Sequence, residues 1–160
     1  SIAYIVNGQP QAAGICNPAA NQTFVGMLDR GVTLNGKVVK VSQNQDLNSA
    51  TVLASRSEIK RGQWKSFENA PFTIIPMGSV AYKLACVAAG LYDATFTLVP
   101  KNEWDVAAGW LLVALAGGKV LDKNGQPRLF NRQNTLLPGL LATNPTLFKL
   151  LQDCIRDSSV

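Results

Sequence analysis

Polar and apolar residues alternate through the first 41 positions, which is the pattern of half-buried β-strands. Asn35-Gly36 divides two of these runs, and Asn-Gly between apolar runs is the strongest short signal for a β-hairpin. Asn7-Gly8 opens a second turn of the same kind. An antiparallel sheet is therefore expected at the start of the chain. Its predicted strands are residues 2–6, 12–16, 32–34 and 37–41.

After residue 50 the pattern changes to short apolar strands that alternate with helical segments. Strands are predicted at residues 51–54, 72–76, 94–99, 119–122 and 140–143, and helices at residues 80–89, 106–116 and 146–155. Ser79, Asp105 and Asn144 stand where these helices would begin, and their side chains are expected to cap them. Strands that alternate with helices are typical of an α/β protein, here a single domain formed by residues 1–160.

The chain of 160 residues contains no histidine. Because Ser-His-Asp and Cys-His catalytic systems, histidine zinc sites and histidine-bound haem all need that residue, the composition excludes them. Any chemistry must therefore use carboxylates, lysine, hydroxyl groups or a hard metal ion. Cys16, Cys86 and Cys154 have no C-x-x-C spacing, so no disulfide framework is expected, and each is predicted to be a small buried hydrophobic residue.

Neither a membrane nor a nucleic acid polymer is predicted as a partner. The longest apolar stretch, residues 106–116, is far shorter than the roughly 20 residues that cross a bilayer. Residues 1–25 have no signal-peptide pattern, so a cytoplasmic location is expected. The net charge is +5, but the basic residues are dispersed and are expected to form a solvated surface. A small anionic substrate is compatible with this charge.

Two strand-to-helix turns carry the candidate chemistry. Gly78-Ser79 leads into one predicted helix, and Glu103 and Asp105 precede the next. Helix N-termini favour phosphate and carboxylate groups, and both turns would lie at one sheet edge if the intervening strands are parallel. The alternative is that Ser79 and Asp105 are only N-caps. Asp105, followed by small residues, leaves room for a cation, and Mg²⁺ sites commonly use one or two carboxylates with substrate phosphate. Glu103 is expected to face solvent.

Residues 104–118 closely resemble the W-D-x-A-A-G…A-G-G motif of the inositol monophosphatase superfamily, with Trp104-Asp105 as its first two residues. Other segments resemble further motifs of that family. They are Gly14 to Pro18, Gly31 with Asn35-Gly36, Ser55-Arg56-Ser57, Gly78-Ser79 through Gly90, and Gly139 to Asn144. The resemblance covers essentially the whole chain.

This resemblance implies the layered α/β/α/β/α fold of the family and its Mg²⁺-dependent phosphomonoesterase activity. The family's metal ligands lie mostly in an N-terminal half, in a Glu-Glu pair and an Asp-Pro-[Ile/Leu]-Asp-Gly-Thr motif, and neither occurs here. Asp105 is the one metal ligand that the resemblance transfers to this chain. The chain is therefore expected to be the C-terminal half of a larger phosphatase and to be inactive alone.

The resemblance also indicates residues that contact the substrate, a small phosphorylated molecule. Gly78, Ser79, Ser57 and Asp105 match substrate-binding positions of the family. Lys83 has the spacing of a lysine that contacts substrate phosphate in bisphosphate nucleotidases, and the alternative is an exposed helix lysine.

The substrate class divides between two alternatives. Inositol-specific members carry a glutamate where this chain has Leu98, and nucleotide-specific members often carry an arginine on the same strand, where Thr95 and Thr97 stand. Lys83 and the Ser55-Arg56-Ser57 segment favour 3′-phosphoadenosine 5′-phosphate over inositol 1-phosphate. A hypothesis of another class is a non-catalytic binding module that retains half of the fold. An exposed sheet left by a missing half also predicts a homodimer or other self-association.

Overall fold

The computed structural model describes residues 1–123 and 125–157, and its first 39 residues form a five-stranded antiparallel sheet. The strands lie in sequence order: β1 (Ile2–Val6), β2 (Gln9–Asn17), β3 (Gln22–Met27), β4 (Gly31–Leu34) and β5 (Lys37–Val39). Both predicted Asn-Gly turns are present. Asn7, Gly8, Asn35 and Gly36 have φ values between 49° and 79°, which the type I′ hairpin turn requires. The prediction of an antiparallel sheet is confirmed.

Strand β3 is the one strand of this sheet that the sequence pattern does not predict. Its inward positions are Phe24 and Gly26, so a single large apolar side chain marks the buried face. Gly26 makes room for Leu112, whose Cδ2 would lie 2.6 Å from a Cβ added to the glycine. A glycine that accommodates a distant side chain leaves no signal in a hydrophobic pattern.

A second, mixed sheet is formed by five later strands. They are β6 (Thr51–Ser55), β7 (Thr73–Met77), β8 (Ala94–Thr97), β10 (Lys119–Asp122) and β12 (Leu140–Thr143), with the order β10-β12-β8-β6-β7 across the sheet. β6 is parallel to β7 and β8, whereas β12 is antiparallel to both β8 and β10. The short strands β9 (Lys101–Asn102) and β11 (Leu136–Leu137) pair separately.

Four helices complete the layers: α1 (Arg56–Lys60), α2 (Val80–Ala88), α3 (Glu103–Leu115) and α4 (Pro145–Asp157). One core joins the inner face of the first sheet, α2 and α3, and the second sheet, and it includes Phe24, Leu84 and Leu140. A second core lies on the opposite face of that second sheet, where Phe96 packs with Leu147 of α4. The order sheet, helices, sheet, helix matches four layers of the expected fold. No helix within the described ranges is long and apolar enough to cross a membrane.

The helix starts agree with the prediction at two of three places. Ser79 and Asn144 each accept a backbone N–H from three residues further on, at 3.2 and 2.9 Å, so both act as caps. The prediction that Asp105 caps a helix is wrong, because α3 begins at Glu103 and Asn102 precedes it without a side-chain cap. Asp105 lies inside the first turn, where a negative charge is favourable at the positive end of the helix dipole.

The outer face of the first sheet, which points away from α2 and α3, is uncharged and exposed. Ile2, Tyr4 and Val38 are 74%, 65% and 74% exposed, and Val25 lies in the same cross-strand row as Ile2 and Val38. Cys16 is exposed on this face, so the prediction that every cysteine is buried is wrong for this residue. Large uncharged side chains on an open sheet are typical of a surface that another layer covers.

Candidate active site

The carboxyl ends of three parallel strands form one edge of the second sheet. β6, β7 and β8 run in the same direction, so their last residues Ser55, Met77 and Thr97 lie at this edge. α2 follows β7 and α3 follows the β8 end, so both helices begin there. The two predicted turns therefore share one edge, where α/β proteins bind ligands.

A cavity of about 510 Å³ opens at this edge beside the start of α2. Gly78 and Ser79 line it together with Arg56 and Tyr82. The guanidinium of Arg56 packs directly over Gly78, at the place where a Cβ of residue 78 would stand. The exposed guanidinium of Arg56 makes no hydrogen bond or ion pair with any residue that the structure describes, so it is free to meet an anion.

Ser57 lies in the first turn of α1, and its hydroxyl is 3.0 Å from that of Ser55. The structure therefore brings Ser57 to the same edge as Gly78 and Ser79. Contacts of these three residues with substrate stay predictions.

Asp105 has a half-buried carboxylate in the first turn of α3. Within residues 1–123 and 125–157 this carboxylate makes no hydrogen bond and no ion pair. A carboxylate that the chain leaves without a partner is free to bind a cation, so Asp105 fits the oxygen ligand that Mg²⁺ prefers. No group of three or more acidic or cysteine side chains in the described ranges could hold a metal ion by itself. Asp105 therefore fits as one ligand of a site that needs others.

Glu103 is buried, and the expectation that it faces solvent is wrong. Its carboxylate accepts a hydrogen bond from Nη2 of Arg128 at 3.1 Å and from the backbone N–H of Asn131 at 2.7 Å. A buried carboxylate needs such donors, and here they come from a loop about 25 residues further along the chain. Glu103 thus holds this loop against the start of α3.

Lys83 is only 1% exposed, so the alternative of an exposed helix lysine is wrong. Burial lowers the pKa of the Lys83 ammonium to about 8, because desolvation disfavours its charged form. The negative charge of Glu58 opposes this shift, and the positive charge of Lys101 adds to it. Contact between Lys83 and substrate stays a prediction, and it requires that the side chain become uncovered.

Glu58 was not identified as a functional residue from the sequence. It is fully buried in α1 and accepts hydrogen bonds from Trp64, Thr97 and Lys101. Ser55 and Glu58 have the S-x-x-E spacing of a capping box, so the sequence predicts only that the glutamate caps the start of its own helix. Ser55 does accept the Glu58 N–H at 3.4 Å, but the Glu58 carboxylate turns into the core.

A helix N-terminus, a free arginine and an unpaired aspartate at the edge of a mixed α/β sheet are groups that suit a phosphate group and a divalent cation. Comparison with known proteins identifies the family. This chain belongs to the inositol monophosphatase family, whose model it matches over residues 1–156. Members of this phosphatase family are generally Mg²⁺-dependent.

Two relatives illustrate the extent of the similarity. The chain is 35% identical over 168 aligned positions to Nus factor SuhB of Escherichia coli strain K12, which covers 98% of the chain and 59% of the relative. It is 32% identical over 136 residues to Inositol monophosphatase 2 of Solanum lycopersicum, covering 78% of the chain and 50% of the relative. The chain thus spans between half and three fifths of the length of these relatives.

Solved structures show the same fold. An IMPase of Thermotoga maritima matches with a TM-score of 0.86 and 25% identity over 98% of the chain and 60% of that protein. Inositol monophosphatase of Anabaena matches with a TM-score of 0.82 and 26% identity over 97% of the chain and 62% of that protein.

Proposed function

We propose that this chain is the C-terminal part of a Mg²⁺-dependent phosphomonoesterase and supplies one metal ligand, Asp105, and part of the substrate site. The observation that carries the proposal is the unpaired, half-buried carboxylate of Asp105 at the sheet edge. Mg²⁺, when bound, would activate water and stabilise the charge that develops on the phosphate oxygens. Gly78 and Ser79 would orient the phosphate group at the start of α2, where backbone N–H groups are free to donate.

Substitution of Asp105 by asparagine tests this proposal in a protein of the relatives' length. Asn has the same shape but lacks the charge that holds a cation, so kcat should fall by roughly 10²-fold or more while the protein stays folded. The matched control is Asp29→Asn, an exposed carboxylate in the turn between β3 and β4. Unchanged kinetics in Asp105→Asn would remove the metal assignment.

The chain of 160 residues alone should show no Mg²⁺-dependent phosphatase activity, because a single carboxylate does not complete a metal site. Several phosphomonoesters at millimolar Mg²⁺ would test this expectation. Turnover above background that disappears with Asp105→Asn would show that the chain already contains a complete site.

The finer part of the proposal is that 3′-phosphoadenosine 5′-phosphate is preferred to inositol 1-phosphate. It is supported by the free guanidinium of Arg56 in the cavity, which could meet a second phosphate group, and by Leu98 in place of a glutamate. Arg56→Ala should lower kcat/KM about tenfold more for the nucleotide than for inositol 1-phosphate. Arg61→Ala, at the end of α1, is the control. Equal losses on both substrates would remove the nucleotide preference.

A second candidate is a non-catalytic binding module. It is favoured by the relatives named Nus factor SuhB, although that name describes those proteins. The coding sequence upstream of Ser1 discriminates between the two candidates. An Asp-Pro-x-Asp-Gly-Thr motif there would support the enzyme, and a start codon without the motif would support the binding module.

Self-association is the remaining part of the proposal. The uncharged outer face of the first sheet should pair with a second copy when the chain is alone, because burial of Ile2, Tyr4 and Val38 removes apolar surface from water. Light scattering should detect a dimer or larger species, and Val38→Lys should shift it to the monomer. Lys60→Glu, at an exposed position of α1, is the control. A strictly monomeric wild-type chain would contradict this part.

A further inference from the structure

The Glu58 carboxylate collects four hydrogen-bond donors although it is completely buried. Oε1 accepts from Oγ1 of Thr97 at 2.6 Å and from Nζ of Lys101 at 3.0 Å. Oε2 accepts from Nε1 of Trp64 at 3.2 Å and from the backbone N–H of Leu98 at 3.4 Å. Only an ionised carboxylate has two acceptor oxygens that satisfy four donors at once, because an amide would turn a donor toward two of them.

Three of the four donors belong to one segment, residues 97–101, which connects β8 to α3. Glu58 itself stands on α1, directly after the neighbouring parallel strand β6. The carboxylate therefore ties the ends of two adjacent strands together at the candidate active-site edge. Asp105 follows four residues after Lys101, in the first turn of α3. The position of the Asp105 carboxylate thus depends on a segment that Glu58 fixes.

Charge balance supports an ionised Glu58. Burial alone would raise the pKa of the Glu58 carboxyl, but hydrogen bonds from Thr97, Lys101 and Trp64 outweigh it and lower the pKa. Lys101 forms an ion pair with Glu58 at 3.0 Å, and the buried Lys83 adds a second positive charge nearby. Both positive charges favour the ionised carboxylate, and Lys101 directs one of its oxygens toward residues 97–101.

We propose that Glu58 is a positioning residue, which fixes residues 97–101 and through them sets the place of the Asp105 carboxylate. This inference rests on the metal role proposed for Asp105. The competing explanation is that Glu58 only stabilises the core. The two explanations differ in which hydrogen bonds to Glu58 affect the start of α3. Trp64 lies in the loop after α1, whereas Thr97 and Lys101 lie on the segment that leads to Asp105, so a positioning role depends on the second pair.

Two variants that each remove one donor from Glu58 separate these explanations. Lys101→Met cuts the link to the segment before α3, and Trp64→Phe cuts the link to the loop after α1. Amide hydrogen exchange, followed by mass spectrometry over residues 98–108, should become about tenfold faster in Lys101→Met and stay at the wild-type rate in Trp64→Phe. Lys101→Arg should restore protection, because its guanidinium can still donate to the carboxylate. Thr97→Val cuts the same link if Lys101→Met does not fold.

The Mg²⁺ concentration that the phosphatase needs gives a second readout. A purely electrostatic effect and a displacement of Asp105 would change this concentration in opposite directions. Loss of a nearby positive charge should by itself tighten cation binding, whereas a displaced Asp105 should weaken it. The half-saturating Mg²⁺ concentration in the phosphatase assay should therefore rise about tenfold in Lys101→Met and stay unchanged in Trp64→Phe. Equal effects of both variants on exchange, or none, would overturn the positioning role. Because exchange is measured without metal, a failure of Asp105→Asn to affect catalysis would count against the metal site alone.

Discussion

Replacement of Lys83 by methionine should remove a pH dependence from the stability of this chain. Lys83 is 1% exposed and interacts with Glu58 and Lys101, so its ammonium is buried in a cluster with more positive than negative charge. Desolvation lowers its pKa from 10.5 to about 8. Methionine has a similar length and no charge, and it therefore removes the titration while it fills the same space.

The sign and size of the effect follow from this shift. Below pH 8 the lysine is charged in both states, and the native state bears the full cost of burying that charge. Between pH 8 and pH 10.5 the unfolded chain binds more protons than the native chain, so the free energy of unfolding rises with pH. One pKa unit corresponds to about 1.4 kcal/mol, so Lys83 alone should add about 3 kcal/mol to the free energy of unfolding between pH 8 and pH 10.5.

Urea unfolding of the wild type and Lys83→Met at several pH values from 7 to 10.5 measures the effect as a difference. The thiol of Cys86, whose pKa burial raises to about 11, and the Tyr82 hydroxyl, whose pKa burial also raises, titrate in both proteins and cancel. Lys60→Met, an exposed lysine of α1, is the control and should track the wild type. A difference between wild type and Lys83→Met that stays constant within about 1 kcal/mol would refute the reasoning.

Three further predictions concern stability and use the same unfolding assay. Gly109→Ala should destabilise the chain by about 1–3 kcal/mol, because its Cβ would collide with Leu84 where α2 and α3 touch. The control is Gly14→Ala, whose Cβ meets nothing closer than 3.5 Å, and equal effects of the two variants would contradict this packing. Asn144→Ala should cost about 2 kcal/mol through loss of the α4 cap and of its hydrogen bond to the Asn44 carbonyl, and Asn144→Asp, which keeps the cap, should cost less. Because folding lowers the pKa of Glu58 from 4.5, the stabilisation by its carboxylate is present above pH 4.5 and is lost as the pH falls through the pKa of the folded state. If the wild type stays more stable than Glu58→Gln by the same free energy of unfolding in acid, this prediction is wrong.

The features that the sequence predicts well are those with local causes. The two Asn-Gly hairpins depend on residues that tolerate positive φ, and the caps Ser79 and Asn144 depend on a hydroxyl or amide three residues before the N–H they accept. The α/β order after residue 50 follows from periodicity in the same way. Each of these signals can be recognised within a few residues of the chain.

The features that it misses depend on distant partners. Glu58 takes donors from residues 6 to 43 positions away, and Glu103 takes them from a loop 25 or more positions away. A charged residue at the start of a helix looks solvated until those donors are folded around it, which is why the expectation for Glu103 is wrong. For Lys83 the alternative of an exposed helix lysine is wrong for the same reason, because Glu58 and Lys101, which interact with it, lie 25 and 18 positions away along the chain.

A comparison among the carboxylates gives the strongest physical reason to place a cation at Asp105. Asp93 accepts from Ser42 at 2.6 Å and from the backbone and side chain of Thr51 at 2.7 and 2.8 Å. Glu58 and Glu103 are likewise satisfied by several donors. Asp105, half-buried at the same sheet edge as the candidate substrate cavity, receives none from the described residues. Among these four carboxylates, Asp105 is therefore the one that is free to bind a cation from outside the chain, as its proposed metal role needs.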